Sequence, residues 1–210
     1  MTNGAKTRKT GVAGIVLAGG MSRRLGRDKA MEPIGGQPLI RRVLERLGQF
    51  SDELVAVVNE PERSDVLRLP SNVKITVDHY PGKGSLGGLF SGLSASTEPW
   101  AFIMACDMPF LNTKLVQHML SLREGHDAVV PVIEERPEPL HALYSARCLP
   151  FMERRLQADD LKIARFFDEV KVHYVPEAEV LRFDPELLSF FNLNTQEDVD
   201  RALALVGHGQ

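Results

Sequence analysis

The segment Leu17-Ala18-Gly19-Gly20-Met21-Ser22-Arg23-Arg24-Leu25-Gly26-Arg27-Asp28-Lys29 has the residue types and spacing that polyphosphate binding requires. It follows an apolar run, residues 13–18, that reads as a buried strand. Paired glycines let the backbone turn tightly and bring amide N–H groups against phosphate oxygens, where any Cβ would intrude. Arg24 and Lys29 supply positive charge to such a ligand, whereas Arg23 and Arg27 read as solvent-facing. This is not a Walker loop, because no Gly-Lys-Ser/Thr follows and the lysine lies beyond the turn.

A second chemical signal is the apolar run 101–106, which ends abruptly in Asp107. An unpaired charge beside such a run is costly, so Asp107 calls for a cation or hydrogen-bond donors. Magnesium fits, since it takes one or two carboxylates together with phosphate oxygens and retained waters. Capping of the next helix is the competing role, and Asn112 and Thr113 are better placed for it.

Further along, Gly82-Lys83-Gly84-Ser85-Leu86-Gly87 spells G-x-G-x-x-G, with Asp107 standing 20 residues after Gly87. A dinucleotide fingerprint opens at the tip of a strand, but here Asp78-His79-Tyr80-Pro81 intervene, which weakens the case for a nicotinamide oxidoreductase. Asp78 ends a strand candidate and is equally a turn residue or a ligand acceptor. Asn59, also at a strand end, offers both donor and acceptor. Asn192 and Asn194 alternate with Leu193, so in extended chain both amides face one way and can bond a planar ligand edge, with turn and capping chemistry as the equal alternative. His141 on its apolar segment reads as a hydrogen-bonded structural histidine. His79, His118, His126, His173 and His208 show neither metal-ligand spacing nor a partner set for nucleophilic catalysis.

These groups need a scaffold, and the sequence describes one. Strand patterns over 13–18, 54–58, 74–77 and 101–106 alternate with helical patterns over 38–47, 86–95 and 113–122. The second half adds strand candidates at 128–132, 142–145 and 170–175 and helical patterns at 150–156, 161–167 and 195–205, the last with Thr195 as its cap. Such alternation predicts an α/β, Rossmann-like three-layer α/β/α domain with a mainly parallel sheet, whose ligand chemistry gathers at the strands' carboxyl ends. A single domain over 1–210 is expected, with 1–11 disordered, a nucleotide-binding N-terminal half and an acceptor-binding C-terminal half.

The chain of 210 residues is long enough to bury a sizeable core without stapling. Its 25 basic and 28 acidic residues give a net charge of -3 and are interspersed, which argues against a nucleic-acid partner. The two cysteines, Cys106 and Cys148, read as reduced thiols. Lys6, Arg8 and Lys9 ahead of the first apolar run imitate a short signal peptide, but cleavage there would cut the glycine motif apart, and no stretch has membrane-spanning length. A cytoplasmic location is expected, with no membrane partner.

The first glycine loop resembles the signature loop of nucleotidyltransferases that share the nucleotide-diphospho-sugar transferase fold. Gly19-Gly20, Arg24, Gly26 and Asp28-Lys29 stand where that pattern expects them, and Asp28-Lys29 together favours the molybdenum cofactor guanylyltransferases. The segments 78–89, Cys106-Asp107-Met108-Pro109-Phe110, 139–144 and 190–195 are similar to later motifs of the same family, with Ser85 where a proline is usual. The resemblance implies transfer of GMP from Mg-GTP to molybdopterin or its molybdenum-loaded form, with release of pyrophosphate. It implies nucleotide contacts by Leu17, Ala18, Gly19, Gly20, Lys29, Asn59, Asp78 and Asp107, metal binding by Asp107, catalytic roles for Arg24, Lys29 and Asp107, and acceptor contacts by Asn192 and Asn194. The cofactor it implies is Mg2+, and the protein partners are molybdenum-insertion proteins or molybdoenzyme chaperones. Within the fold a cytidylyltransferase or a sugar-phosphate nucleotidyltransferase remains open. Outside it stand the nicotinamide enzyme and a non-catalytic nucleotide-binding module.

Overall fold

A computed structural model describes residues 10–19 and 27–207. The elements run β1 (Val12–Leu17), β2 (Pro33–Ile34), β3 (Gln37–Pro38), α1 (Leu39–Leu47), β4 (Glu53–Val58), α2 (Arg63–Leu67), β5 (Val73–Val77), α3 (Gly84–Ala95), β6 (Trp100–Ala105) and α4 (Thr113–Ser121). They continue with β7 (Ala128–Ile133), β8 (Arg136–Pro137), β9 (His141–Ser145), α5 (Leu149–Gln157), β10 (Val172–Pro176), α6 (Glu177–Val180) and α7 (Gln196–Gly207).

The central sheet orders its strands β10-β7-β9-β6-β1-β4-β5, with the short β8 paired to β7. β1 lies parallel to β4 and β6, β4 parallel to β5, and β7 parallel to β10. β9 runs antiparallel to both β6 and β7, with Met104 opposite His141 and Val129 opposite Leu143. Parallel strands buried on both faces should read as continuous apolar runs, and β1 and β6 do so.

Successive side chains of a strand point to opposite faces, and this period of two divides the core. Val12, Val16, Phe102 and Met104 pack with α1, α4 and α7 on one face. Ala13, Ile15, Ala101 and Ile103 pack with α3 and α5 on the other. Three layers result, α/β/α. Cys106 belongs to the first cluster and Cys148 to the second, and both thiols are free. α3 lies close on the sheet because Gly92 has no side chain: a Cβ there would meet Ile15 Cγ2 at 2.6 Å and Val57 Cγ2 at 2.9 Å.

Several elements differ from expectation. The helical pattern at 161–167 is a 3-10 helix, Ile163–Glu169, which needs only its i, i+3, i+4 set Ile163, Phe166 and Phe167 to be buried. The β2–β3 hairpin and the short helices α2 and α6 carry too few residues for a periodic signal. Thr10 and Gly11, expected within a disordered leader, are held in place. The Thr10 hydroxyl donates to the Phe50 carbonyl at 2.6 Å, and the Thr10 and Gly11 amides donate to Asp52 Oδ2 at 3.2 and 2.8 Å. No helix among the described residues is long and apolar enough to cross a membrane.

Candidate active site

Carboxyl ends of parallel strands converge where their helical crossovers turn away, and a cleft of about 820 Å³ opens there. β1 leads into Ala18 and Gly19, β4 into Asn59, β5 into Asp78, and β6 into Cys106 and Asp107. Lys29 and Asn192 complete the wall, so Leu17, Ala18, Gly19, Lys29, Asn59, Asp78, Asp107 and Asn192 all line one cavity. Gly20 and Arg24, and with them the tip of the glycine loop, lie outside the described residues.

The strand ends are held by bonds that extend the sheet. The Ala18 amide donates to the Val57 carbonyl at 2.8 Å and the Cys106 amide to the Leu17 carbonyl at 3.2 Å. The Ala18 N–H is therefore spent within the protein, and ligand contacts at Leu17 and Ala18 are confined to second lone pairs on their carbonyls. The Asn59 side-chain amide donates to the Gly19 carbonyl, and its oxygen occupies the space a Cβ at residue 19 would need.

Lys29 opens a 3-10 turn capped by Asp28, whose Oδ1 accepts from the Ala30 amide at 3.0 Å. That turn sends the lysine into the cleft, where its side chain is only 15% exposed. Its Nζ lies 3.2 Å from Asp107 Oδ2 and 2.8 Å from Asn194 Oδ1. Asp107 itself is fixed through its backbone, its carbonyl accepting from the Leu193 amide at 2.9 Å. One cation thus joins the phosphate loop, the carboxylate at the end of β6 and the asparagine segment.

That segment is shaped from below. Leu193 is buried, while Asn192 faces the cleft and donates to the Phe190 carbonyl at 3.1 Å. The Asn194 oxygen is engaged by Lys29. Asp198 accepts from the Asn194 and Thr195 amides at 2.9 and 2.8 Å and receives the Thr195 hydroxyl, which caps α7. Desolvation works to raise the Asp198 carboxyl, but these donors and the charge of Lys29 hold it below its ordinary range.

On the opposite wall Asp78 Oδ1 accepts from the Tyr80 amide at 3.0 Å and from the Ser91 hydroxyl at 2.9 Å. α3 approaches it at Gly87, where a Cβ would stand 2.9 Å from the Tyr80 carbonyl and 3.1 Å from Asp78 Oδ1. The G-x-G-x-x-G spelling therefore serves helix packing around Asp78, four residues beyond the tip of β5.

Two expectations are corrected. Arg27 is half-exposed but not merely solvated: it bonds both oxygens of the buried Glu32, at 2.5 and 2.8 Å, and Gln196 at 2.8 Å. His141 is buried as expected but is not hydrogen-bonded, since neither ring nitrogen has a partner among the described residues. Its ring sits edge-on to Phe102 at 5.0 Å and beside Phe190 at 4.7 Å, packing as an aromatic, and burial pulls its pKa down to about 3. Burial, with Asp107 and Asp28 nearby, pushes the Cys106 thiol well above its ordinary range, so it stays protonated and is no nucleophile.

Three contributors have no clear signal in the sequence. Ser91 holds Asp78 from within an apolar helix. Glu138 lines the cleft, half-buried, and desolvation raises its carboxyl pKa. Arg63 reads as one more charge in the stretch Glu60-Pro61-Glu62-Arg63-Ser64-Asp65, yet it bonds Asp28 and the Ala18 carbonyl.

Comparison with known proteins matches this layout. The family model of the MobA-like NTP transferase domain covers residues 14–173. The molybdenum cofactor guanylyltransferase of Desulfosudis oleivorans is 37% identical over 95% of this chain and 98% of its own. The probable molybdenum cofactor guanylyltransferase of Natranaerobius thermophilus is 36% identical over 93% of this chain and 97% of its own. Among solved structures, the molybdopterin-guanine dinucleotide biosynthesis protein A of Archaeoglobus fulgidus superposes with a TM-score of 0.81 at 30% identity, covering 93% of this chain and 99% of that one. Both sequence relatives match over nearly their whole lengths, and the chain belongs to the MobA-like NTP transferase family of nucleotidyltransferases.

Proposed function

We propose that this protein transfers GMP from Mg-GTP to the terminal phosphate of molybdopterin or its molybdenum-loaded form, releasing pyrophosphate. The observation that carries the reading is the position of Lys29 Nζ, bonded at once to Asp107 and Asn194. It places a cation where the nucleotide's phosphates and an incoming acceptor phosphate would meet.

The residues present suit a magnesium ion shared with substrate. Among the described residues no group of three or more His, Cys, Asp or Glu could hold a metal. Asp107 alone offers a carboxylate at the strand end, which fits an ion that takes the rest of its shell from phosphate oxygens and water. Magnesium would neutralise phosphate charge there. Asp107 would hold it, and Lys29 would exchange its carboxylate contact for a phosphate oxygen. The glycine loop would follow the triphosphate with its amides, and Arg24 would add a second positive charge.

At the base end, Asp78 Oδ2 has no hydrogen-bond partner among the described residues and can accept from the adjacent N1–H and N2–H of guanine. Adenine lacks that donor pair. Asn59 stands beside the same wall. Asn192 faces the acceptor half and can bond a pterin edge. The attacking group is already anionic, so no protein base is required, and the side chains act by positioning and charge neutralisation. A cytoplasmic location belongs to the same reading.

The test is pyrophosphate release by purified protein with molybdopterin, magnesium and GTP, CTP or ATP in turn. Turnover with GTP alone supports the reading. Preferential turnover with CTP would reassign the protein as the cytidylyltransferase, and release with a sugar phosphate in place of molybdopterin would reassign the acceptor.

A further inference from the structure

We infer that Arg63 is a positioning residue, one that fixes both ends of the phosphate loop and thereby sets where Lys29 stands. The inference rests on the reading that this loop takes the nucleotide. Arg63 opens α2, just past the end of β4. Its Nε donates to the Ala18 carbonyl at 2.7 Å, and its two terminal nitrogens donate to the two oxygens of Asp28 at 3.0 and 2.7 Å. The pair is largely enclosed, with side-chain exposures of 14% for Arg63 and 27% for Asp28.

Ala18 is where the chain leaves β1, and Asp28 is where it returns to the 3-10 turn. A single guanidinium therefore fastens the departure and the return of a nine-residue excursion, 19–27. A planar fork can satisfy a carboxylate bidentately and still reach a carbonyl with its third nitrogen, whereas an ammonium is a point charge that cannot span all three.

Two consequences reach the lysine. Asp28 caps the turn that begins at Lys29, so the orientation Arg63 imposes on Asp28 is handed to the next residue. Arg63 also neutralises Asp28, which would otherwise stand as an uncompensated carboxylate directly beside the cation meant for phosphate. Nothing in this arrangement touches the acceptor half, so its loss should fall on the nucleotide.

The test uses Arg63→Lys, which keeps the charge and the aliphatic stem, together with Arg63→Ala, Asp28→Asn and the Arg63→Lys/Asp28→Asn pair. Each variant is checked for folding by circular dichroism and melting temperature. For Arg63→Lys the expected result is a fall in kcat of about tenfold or more, the scale on which small misplacements act. The KM for GTP should rise while the KM for molybdopterin stays near the wild-type value. The paired variant should be little worse than either single one, because both break the same link. Free guanidinium should restore part of the activity of Arg63→Ala.

Arg63 variants with wild-type kcat and GTP KM would overturn the inference. So would losses that raise both KM values alike and track the melting temperature, which is the signature of a merely structural arginine. Failure of the underlying reading looks different: the wild-type protein itself would gain no thermal stability from GTP with magnesium.

Discussion

The Lys29 ammonium lies 2.8 Å from the Asn194 side-chain oxygen although 165 positions separate the two residues. The contact links the nucleotide half of the cleft to the acceptor half through one side chain. It also sorts the polar groups by task, since what bonds Lys29 is tied to phosphate chemistry and what faces away from it is not.

Replacing Lys29 by alanine should lower turnover at least about a hundredfold, the effect of removing a preorganised donor, with the fold intact. Single-turnover rates measured with a melting curve check this. Near-normal turnover would remove Lys29 from the mechanism.

Asp107→Asn keeps the shape of the strand end and removes its charge. Magnesium-dependent turnover should be lost, and the extra thermal stability that GTP gains from magnesium should vanish with it, since a ligand stabilises only what it binds. A variant that still responds to ordinary magnesium would make Asp107 a structural carboxylate.

The two asparagines should separate. Asn192→Ala removes a group facing the cleft and should raise the acceptor KM while leaving the GTP KM alone. Asn194→Ala removes a ligand of Lys29 and should lower kcat instead. Identical kinetic signatures for the two variants would contradict this division.

The buried His141 makes stability depend on pH. Its folded pKa of about 3 lies below the ordinary 6.5, so the unfolded chain binds the proton more readily. The contribution is complete above pH 6.5 and is lost as pH falls from there toward 3, by roughly 1.4 kcal/mol per unit, or about 2 kcal/mol at pH 5. His141→Leu should flatten the acid side of a melting-temperature profile recorded from pH 7.5 to pH 5. An unchanged slope would show that other groups set the acid limit.

Much of the framework is legible in the residues themselves. β1 and β6 read as strands because both faces are covered, and Asp107 stands out because a charge ends an apolar run. Asn112 was legible as the better cap, and its side-chain oxygen accepts from the Lys114 and Leu115 amides. Arg63 was not legible, because its partners lie 35 and 45 positions away and α2 is too short to announce itself. The state of His141 was equally hidden: sequence reveals an apolar neighbourhood, not whether a donor lies within reach. Asn194 pairs with Lys29 only because α7 brings the chain back across the cleft.

β9 is the one strand on the seven-strand path that opposes its neighbours, and its reversal has a further result. The chain enters β9 at the cleft rather than leaving it there, so Glu138, Pro139 and Leu140 reach the cavity from a strand's beginning. The sheet thereby contains a seam. On one side lie the exits of β1, β4, β5 and β6, common to any nucleoside triphosphate, and on the other an entry loop that can be rewritten for a new recipient without disturbing the machinery that grips the donor.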